Sequence, residues 1–212
     1  MRSRYSSIVG ELSRLAFELI KDGHSVNRSV LDTQFTVGNR QEDSDIISSD
    51  FEFDFIIQTT YTEEQYLVDG GANAGYDNDG EEITPLISIR FEIPKKPDWQ
   101  EVSFDIKDVI RHELEHLTQD GANVRQGKQM DNDQCLRNLI KVGELPNYLY
   151  FKLEKEVDAM LQGLYYKAKK ARKPFRQVIN TYLDKQPISR DEIDNIISLW
   201  KKRAETLNLP AL

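Results

Sequence analysis

Cysteine and long apolar runs are both scarce in this 212-residue chain. Its one cysteine, Cys135, cannot form a disulfide within the chain, which indicates a reducing compartment. No apolar run approaches the roughly 20 residues that cross a bilayer, so we expect no membrane segment. Glu11 and Glu18 interrupt the apolar residues near the N-terminus, which argues against a signal or transit peptide. These absences predict a cytoplasmic protein.

An excess of positive charge is also missing. The net charge is −8 at pH 7, which argues against a protein whose main partner is nucleic acid. The balance is uneven, because residues 1–110 have a net charge of −12 and residues 111–212 a net charge of +4. The densest basic run, residues 167–176, is typical of a solvated helix end whose cations suit the helix dipole. The alternatives are a patch for an acidic partner and the nucleic-acid contact of a regulator.

The N-terminal half is predicted to contain one helix followed by a β-rich segment over about residues 26–100. The helix has apolar residues spaced to form one face, namely Ile8, Leu12, Leu15 and Leu19. In the β-rich segment, "FEFDFIIQTTY" and "PLISIRFEIP" alternate in the period of two that is typical of half-buried strands. Between them, residues 69–82 are rich in Gly, Asn and Asp and are predicted to form a turn or mobile loop.

The second half is predicted to be helical, over about residues 104–207. We expect a first helix over 104–119, capped by Ser103 or Asp105. Three more helices are predicted over 135–141, 147–172 and 175–183. The last helix begins at a capping box formed by Ser189 and Glu192. Its core-facing residues are predicted to be Ile193, Ile196, Ile197 and Trp200. The order of helix, sheet and helices predicts one α+β domain over residues 1–212.

The helix predicted over 104–119 contains the pattern His112-Glu113-Leu114-Glu115-His116. Residues four apart differ by about 40° around a helix, so both histidines project from one face and can reach the same ion. Glu113 lies beside this pair, where it can reach a metal-bound water without taking a coordination position. Glu115 has no such duty and is expected to be exposed. The alternative is a charged helix with two incidental histidines.

A third ligand has to come from elsewhere in the chain. The only other histidine, His24, lies in a polar N-terminal segment, so we expect a carboxylate. The candidates lie on the predicted helix after Pro146: Glu154, Glu156 and Asp158. Two imidazoles and one carboxylate leave a tetrahedral zinc ion one open position for water, whose pKa then falls to about 7. The sequence thus predicts one zinc ion per chain, with Glu113 as general base.

These two motifs resemble those of the zincin metallopeptidases of the gluzincin kind. The run Glu156-Val157-Asp158-Ala159 is similar to the E-x-x-A signature of small bacterial and phage zincins, in which the Glu binds zinc. The resemblance implies that His112, His116 and Glu156 are the zinc ligands and that Glu113 is the base. Glu154 with Asp158 fits the E-x-x-x-D spacing of thermolysin-like members, so Glu154 stays the alternative third ligand. The likeness covers about 15 residues around the first motif and about 10 around the second.

The resemblance implies a zincin-like α+β fold with a small, mostly antiparallel sheet before the metal helix. It also implies a zinc endopeptidase that cleaves proteins or peptides in the cytoplasm, or in a host's cytoplasm if the gene is phage-borne. The strand "LISIRFEI" is expected either to be an edge strand that pairs with substrate or to be an internal structural strand. The alternative function is a protein-binding module with a structural or non-catalytic zinc site. Oligomeric state and substrate specificity stay open.

The electrophile of the known zincins has no counterpart in this sequence, because no histidine follows His116. Four tyrosines on or near the downstream helices could stabilise an oxyanion, although packing or surface roles are commoner for such residues: Tyr148, Tyr150, Tyr165 and Tyr166. The role is therefore left unassigned.

Overall fold

The fold is mixed α and β, as predicted. The computed structural model describes residues 6–26, 30–37, 53–62, 66–76, 82–118 and 132–212. The chain divides into two compact units, Met1–Val124 and Arg125–Leu212, each considered separately below. A single domain over the whole chain stays a prediction. None of the helices in the described residues combines the length and apolarity that a bilayer crossing requires.

Within its described ranges, the first unit contains a four-stranded sheet and two long helices. In chain order its elements are α1 (Ser6–Ser25), β1 (Val30–Val37), β2 (Phe53–Thr62), β3 (Leu67–Tyr76), β4 (Glu82–Pro94) and α2 (Trp99–Thr118). The sheet order is β1-β2-β4-β3, with β2 and β4 parallel and the other two pairings antiparallel. The sheet is therefore mostly antiparallel, as expected.

Strand β4 is internal, since it pairs with both β2 and β3. The edge-strand role considered for this segment is therefore wrong, and the structural role is right. Its alternation is confirmed, because alternate residues of β4 from Ile87 to Ile93 are buried and continue the buried face of β2. The buried residues of the two strands are Ile87, Ile89, Phe91 and Ile93 in β4 and Phe53, Phe55 and Ile57 in β2.

The loop predicted over residues 69–82 is wrong for the part that the structure describes. Residues 69–76 belong to β3, which pairs with β4 from Leu67 opposite Glu92 to Tyr76 opposite Glu82, with a shift in register between Asn73 and Gly75. Glycine and asparagine have low strand propensity, but hydrogen bonding to a neighbouring strand outweighs a propensity of this size. Residues 77–81 lie outside the described residues.

Helix α2 begins at Trp99, five residues earlier than predicted. The carboxylate of Asp98 accepts hydrogen bonds from the N–H groups of Gln100 and Glu101, at 2.9 and 3.3 Å. Asp98 is thus the capping residue. The predicted caps, Ser103 and Asp105, lie inside the helix, because the earlier acidic residue already satisfies the free donors of the first turn.

Helix α1 is confirmed, but its buried face is rotated from the predicted one. Ile8 and Leu12 are buried as expected, whereas Leu15 and Leu19 are only half-buried. The buried stripe continues instead through Ala16 and Ile20. Steps of four residues from Leu12 keep these side chains on the face that meets the core.

The second unit is entirely helical in its described residues. Its elements are α3 (Asn132–Lys141), a 3-10 helix (Asn147–Lys152), α4 (Glu154–Ala171), α5 (Phe175–Leu183) and α6 (Arg190–Thr206). The capping box of Ser189 and Glu192 is confirmed, and Ile193, Ile196 and Trp200 are buried in one apolar core. Ile197 packs against that core and is half-buried.

The single helix predicted over 147–172 is wrong, because the chain breaks at Leu153. Leu153 is extended, with φ −65° and ψ 129°, between the 3-10 helix and α4. Phe151 and Leu153 are both buried, at 7% and 5% exposure. Residues two apart point to nearly opposite sides of a helix, so one helix could not bury both. The break turns both side chains inward.

Candidate metal centre

The first motif lies on α2, which packs against α1, β3 and β4. A stripe of apolar side chains holds the helix in place: Val102, Ile106, Ile110, Leu114 and Leu117. About two turns after the cap, Asp105 accepts a hydrogen bond from the Tyr66 hydroxyl at 2.8 Å. Burial, together with the negative charge of Asp105, raises the pKa of Tyr66 well above its ordinary value. These contacts fix the start of α2 beside the start of β3.

His112 and His116 project from one face of α2, as their spacing predicts. Both are half-buried, and their Nε2 atoms lie 3.0 Å apart. Two imidazole nitrogens on one tetrahedral zinc ion lie about 3.3 Å apart, given Zn–N distances of about 2.0–2.1 Å. The two rings thus converge at a spacing close to the one that a shared metal ion requires.

Glu113 is buried beside this pair, with 5% of its surface exposed. Its Oε1 atom lies 4.0 Å from Nε2 of His112, which is next to the imidazole pair but beyond hydrogen-bonding distance. The carboxylate therefore lies where the sequence places a general base, alongside the potential ligands.

Glu115 differs from the expected exposed residue. It is half-buried, and its carboxylate forms a 2.7 Å ion pair with Arg111, whose side chain is 5% exposed. A buried guanidinium requires a nearby negative charge. Glu115 supplies this charge from one turn further along α2, so its role is structural.

Glu156 lies in the first turn of α4 and is fully buried. Its carboxylate forms an ion pair with the guanidinium of Arg137, on α3. Sequence reasoning did not single out Arg137, and no local pattern marks it, because its partner is on another helix. A carboxylate in the first turn also interacts favourably with the helix dipole.

The alternative third ligand, Glu154, and Asp158, which completes its E-x-x-x-D spacing, have a different environment. The Glu154 side chain is 73% exposed and lies 3.1 Å from Arg203. Asp158 accepts two hydrogen bonds from the same arginine, at 2.5 and 2.6 Å. Both carboxylates of the E-x-x-x-D register are thus held by Arg203 on α6.

The structure brings together His112, His116 and Glu156. A ring nitrogen of each histidine and a carboxylate oxygen of Glu156 all lie within 4.8 Å of one another, so this group could hold a metal ion. His24 is not part of the group. Its ring packs edge-on against Tyr61 and Trp99, with centroid distances of 5.3 and 5.2 Å.

The four tyrosines considered for oxyanion stabilisation all have packing contacts within the second unit. Tyr166 is buried, and Tyr150 and Tyr165 pack against the core of that unit. The ring of Tyr148 lies 4.7 Å from the ammonium group of Lys152. Packing therefore accounts for their positions, and the oxyanion role stays unassigned.

Comparison of the chain with known protein families, with curated proteins and with solved structures finds no match in any of the three. The resemblance to zincins consequently depends on the two short motifs and on the geometry of the residues within them.

Proposed function

We propose that this protein is a zinc-dependent metallopeptidase that hydrolyses peptide bonds in protein or peptide substrates in the cytoplasm. The observation that carries the proposal is the grouping of His112, His116 and Glu156 within 4.8 Å, with the buried Glu113 next to the two histidines. An incidental pair of histidines on a charged helix would not require either a buried carboxylate ligand or a buried carboxylate neighbour.

The donor set fits zinc. Imidazole nitrogens and a carboxylate oxygen are common zinc ligands, and three protein ligands are typical of a catalytic rather than a structural site. Zinc bound by these three side chains would supply a Lewis acid that polarises water and the substrate carbonyl. The proposed ligands are His112 and His116 from α2 and Glu156 from α4.

Glu113 is proposed to move the proton. Its carboxylate accepts a proton from the water molecule whose oxygen attacks the carbonyl carbon of the peptide. When the C–N bond breaks, Glu113 returns the proton to the leaving nitrogen, so that the products are a carboxylic acid and an amine. The burial of Glu113 strengthens this role, because electrostatic interactions are stronger where water is excluded.

The experiment compares the wild type with Glu113→Gln. Zinc content is measured first, and cleavage of a panel of unfolded proteins is measured with equal amounts of zinc-loaded protein. Because Glu113 is not a ligand in this mechanism, zinc content should be nearly unchanged. Turnover should fall by roughly 10²- to 10⁴-fold, the usual contribution of general-base catalysis.

The control is Glu101→Gln, which alters an exposed glutamate near the start of the same helix and should cleave like the wild type. Zinc-loaded Glu113→Gln with full activity would contradict the mechanism. A wild type that binds zinc but cleaves nothing would instead favour the protein-binding module.

A further inference from the structure

The edge strand β3 comes unusually close to α2 at Gly70. A Cβ atom built at this position would overlap Cγ2 of Val109 and would lie 2.7 Å from Oε1 of Glu113. It would also lie 3.1 Å from Cγ of Glu113. Carbon atoms in contact are normally separated by about 3.5–4.0 Å, so a side chain at position 70 would force the side chains of Val109 and Glu113 to move.

The reason for glycine here is space and not backbone conformation. In the described residues only Gly143 is a glycine with positive φ, so an alanine at position 70 would meet no backbone penalty. Glycine inside a strand often marks the close approach of another group. At Gly70 the approaching groups are Val109 and Glu113, which lie one turn apart on α2.

The neighbouring glycine provides a contrast. A Cβ atom at Gly71 would meet only Oγ of Ser88, at 3.5 Å, which is an ordinary contact. Successive residues of a strand point to opposite faces of the sheet. Gly70 therefore lies on the face that α2 covers, and Gly71 on the other.

We propose that Gly70 is a positioning residue, which fixes the Glu113 carboxylate by placing bare strand backbone against its Cγ and Oε1 atoms. The relevance to catalysis rests on the proposed function. Glutamate has three rotatable side-chain bonds, and a general base must lie within hydrogen-bonding reach of its proton. The absence of a side chain at position 70 leaves room for one buried orientation of Glu113.

The first test uses Val109→Ala as the reference protein, because this change removes the closest obstacle to a new methyl group. Gly70→Ala and Gly71→Ala are each added to it. The Gly70 double variant should retain zinc and show little change in KM. Its kcat should fall by up to about 10²-fold, because a small misplacement of a catalytic group can reduce the rate by this factor. The Gly71 double variant should match the reference. If the Gly70 double variant also matches the reference in kcat, the proposal is wrong.

The second test does not depend on activity. The change in melting temperature caused by Gly70→Ala is measured in two proteins, Val109→Ala and Val109→Ala with Glu113→Ala. If Gly70 holds Glu113, the decrease should be clearly smaller once Glu113 is truncated, because the obstructing atoms are gone. Equal decreases in both proteins would overturn the proposal. A clear difference, found with a wild type that cleaves nothing, would support the contact and count against the proposed function.

Discussion

The two units differ in how they bury polar side chains. Where the structure describes its side chains, the first unit buries five such residues: Ser13, Thr59, Glu92, Arg111 and Glu113. Among the described residues of the second unit, Glu156 is the single buried residue with a charged or polar side chain. A buried carboxylate is costly unless it is paired or binds a metal. In an otherwise apolar helical core, Glu156 is thus the residue for which packing provides the least explanation.

The units also differ in charge. Residues 1–124 contain 11 Lys+Arg and 25 Asp+Glu, a net charge of −14, whereas residues 125–212 contain 17 and 11, a net charge of +6. A negative field favours binding of a divalent cation. The histidine pair belongs to the acidic unit, and Glu156 belongs to the basic one. Glu156 is thus a buried acidic residue in a unit that has an excess of basic residues.

The largest expected effect is a loss of stability in the core of the second unit that leaves the core of the first unit unchanged. Trp200 is fully buried, and its indole N–H donates a hydrogen bond to the carbonyl of Phe151 at 2.8 Å. Trp200→Ala should lower the free energy of unfolding of the second unit by about 3–5 kcal/mol. Trp99 then remains as the only tryptophan, and its fluorescence reports on the first unit.

Both units contribute helices to the circular dichroism signal, so we expect part of this signal in Trp200→Ala to be lost at lower urea concentration than the Trp99 signal. Phe91→Ala, in the core of the first unit, serves as the opposite control and should shift the Trp99 signal. If both signals shift together in Trp200→Ala, the chain unfolds as one cooperative domain, and the contrast between the units does not extend to stability.

The next effect concerns the buried charge of the second unit. Arg137→Ala removes the cation that pairs with Glu156. Removing one partner of a buried ion pair generally costs about 3–5 kcal/mol, and the 31% exposure of Arg137 places the expected loss below that range. The free energy of unfolding of the metal-free protein is measured in urea, and zinc should restore part of the loss.

Arg203→Ala is the matched control. Arg203 is 30% exposed and pairs with carboxylates of α4, the helix that contains Glu156. Its partner Asp158 is less deeply buried than Glu156, at 14% against 1% exposure, so its removal should cost less. If Arg203→Ala lowers the free energy of unfolding more than Arg137→Ala does, the buried charge of Glu156 is not the costliest of these carboxylates to leave unpaired.

The smallest effect is a pH dependence within the first unit. Tyr61 donates a hydrogen bond to the carbonyl of Ile20 at 2.6 Å, and burial raises its pKa from 10.0 to about 12. Because the folded state favours the neutral phenol, this stabilisation is complete below pH 10 and is lost as the pH rises from 10 to 12. Tyr61→Phe should therefore lose less stability than the wild type over that interval. The free energy of unfolding of both proteins is measured in urea at pH 9–12. An equal decrease with pH in the two proteins would contradict the prediction.

Local sequence patterns correctly predicted the features that depend only on neighbouring residues of one helix or strand. The alternation in β2 and β4, the capping box at Ser189 and the histidine spacing on α2 all depend on residues a few positions apart. Such relationships are visible in a sequence because strand and helix periods are fixed. The inference that a carboxylate and not His24 completes the donor group also agrees with the residues that the structure brings together.

The failures concern interactions between distant segments. Strand β3 has the composition of a loop, and only its pairing with β4 and its closeness to α2 explain the glycines. The break at Leu153 and the burial of Glu115 beside Arg111 similarly depend on the core that each segment meets. Arg137 and Gly70 could not be identified for the same reason, although a glycine inside a strand is a recognised sign of close approach.

The most direct test of the metal site is zinc binding by Glu156→Gln and Glu154→Gln, measured by titration of the metal-free proteins. The wild type should bind one zinc ion per chain. Glu156→Gln should bind it far more weakly, whereas Glu154→Gln should resemble the wild type, because Glu154 is exposed and pairs with Arg203. His112→Ala should abolish binding. Equal weakening in the two glutamine variants, or weaker binding by Glu154→Gln, would contradict the proposed ligand set.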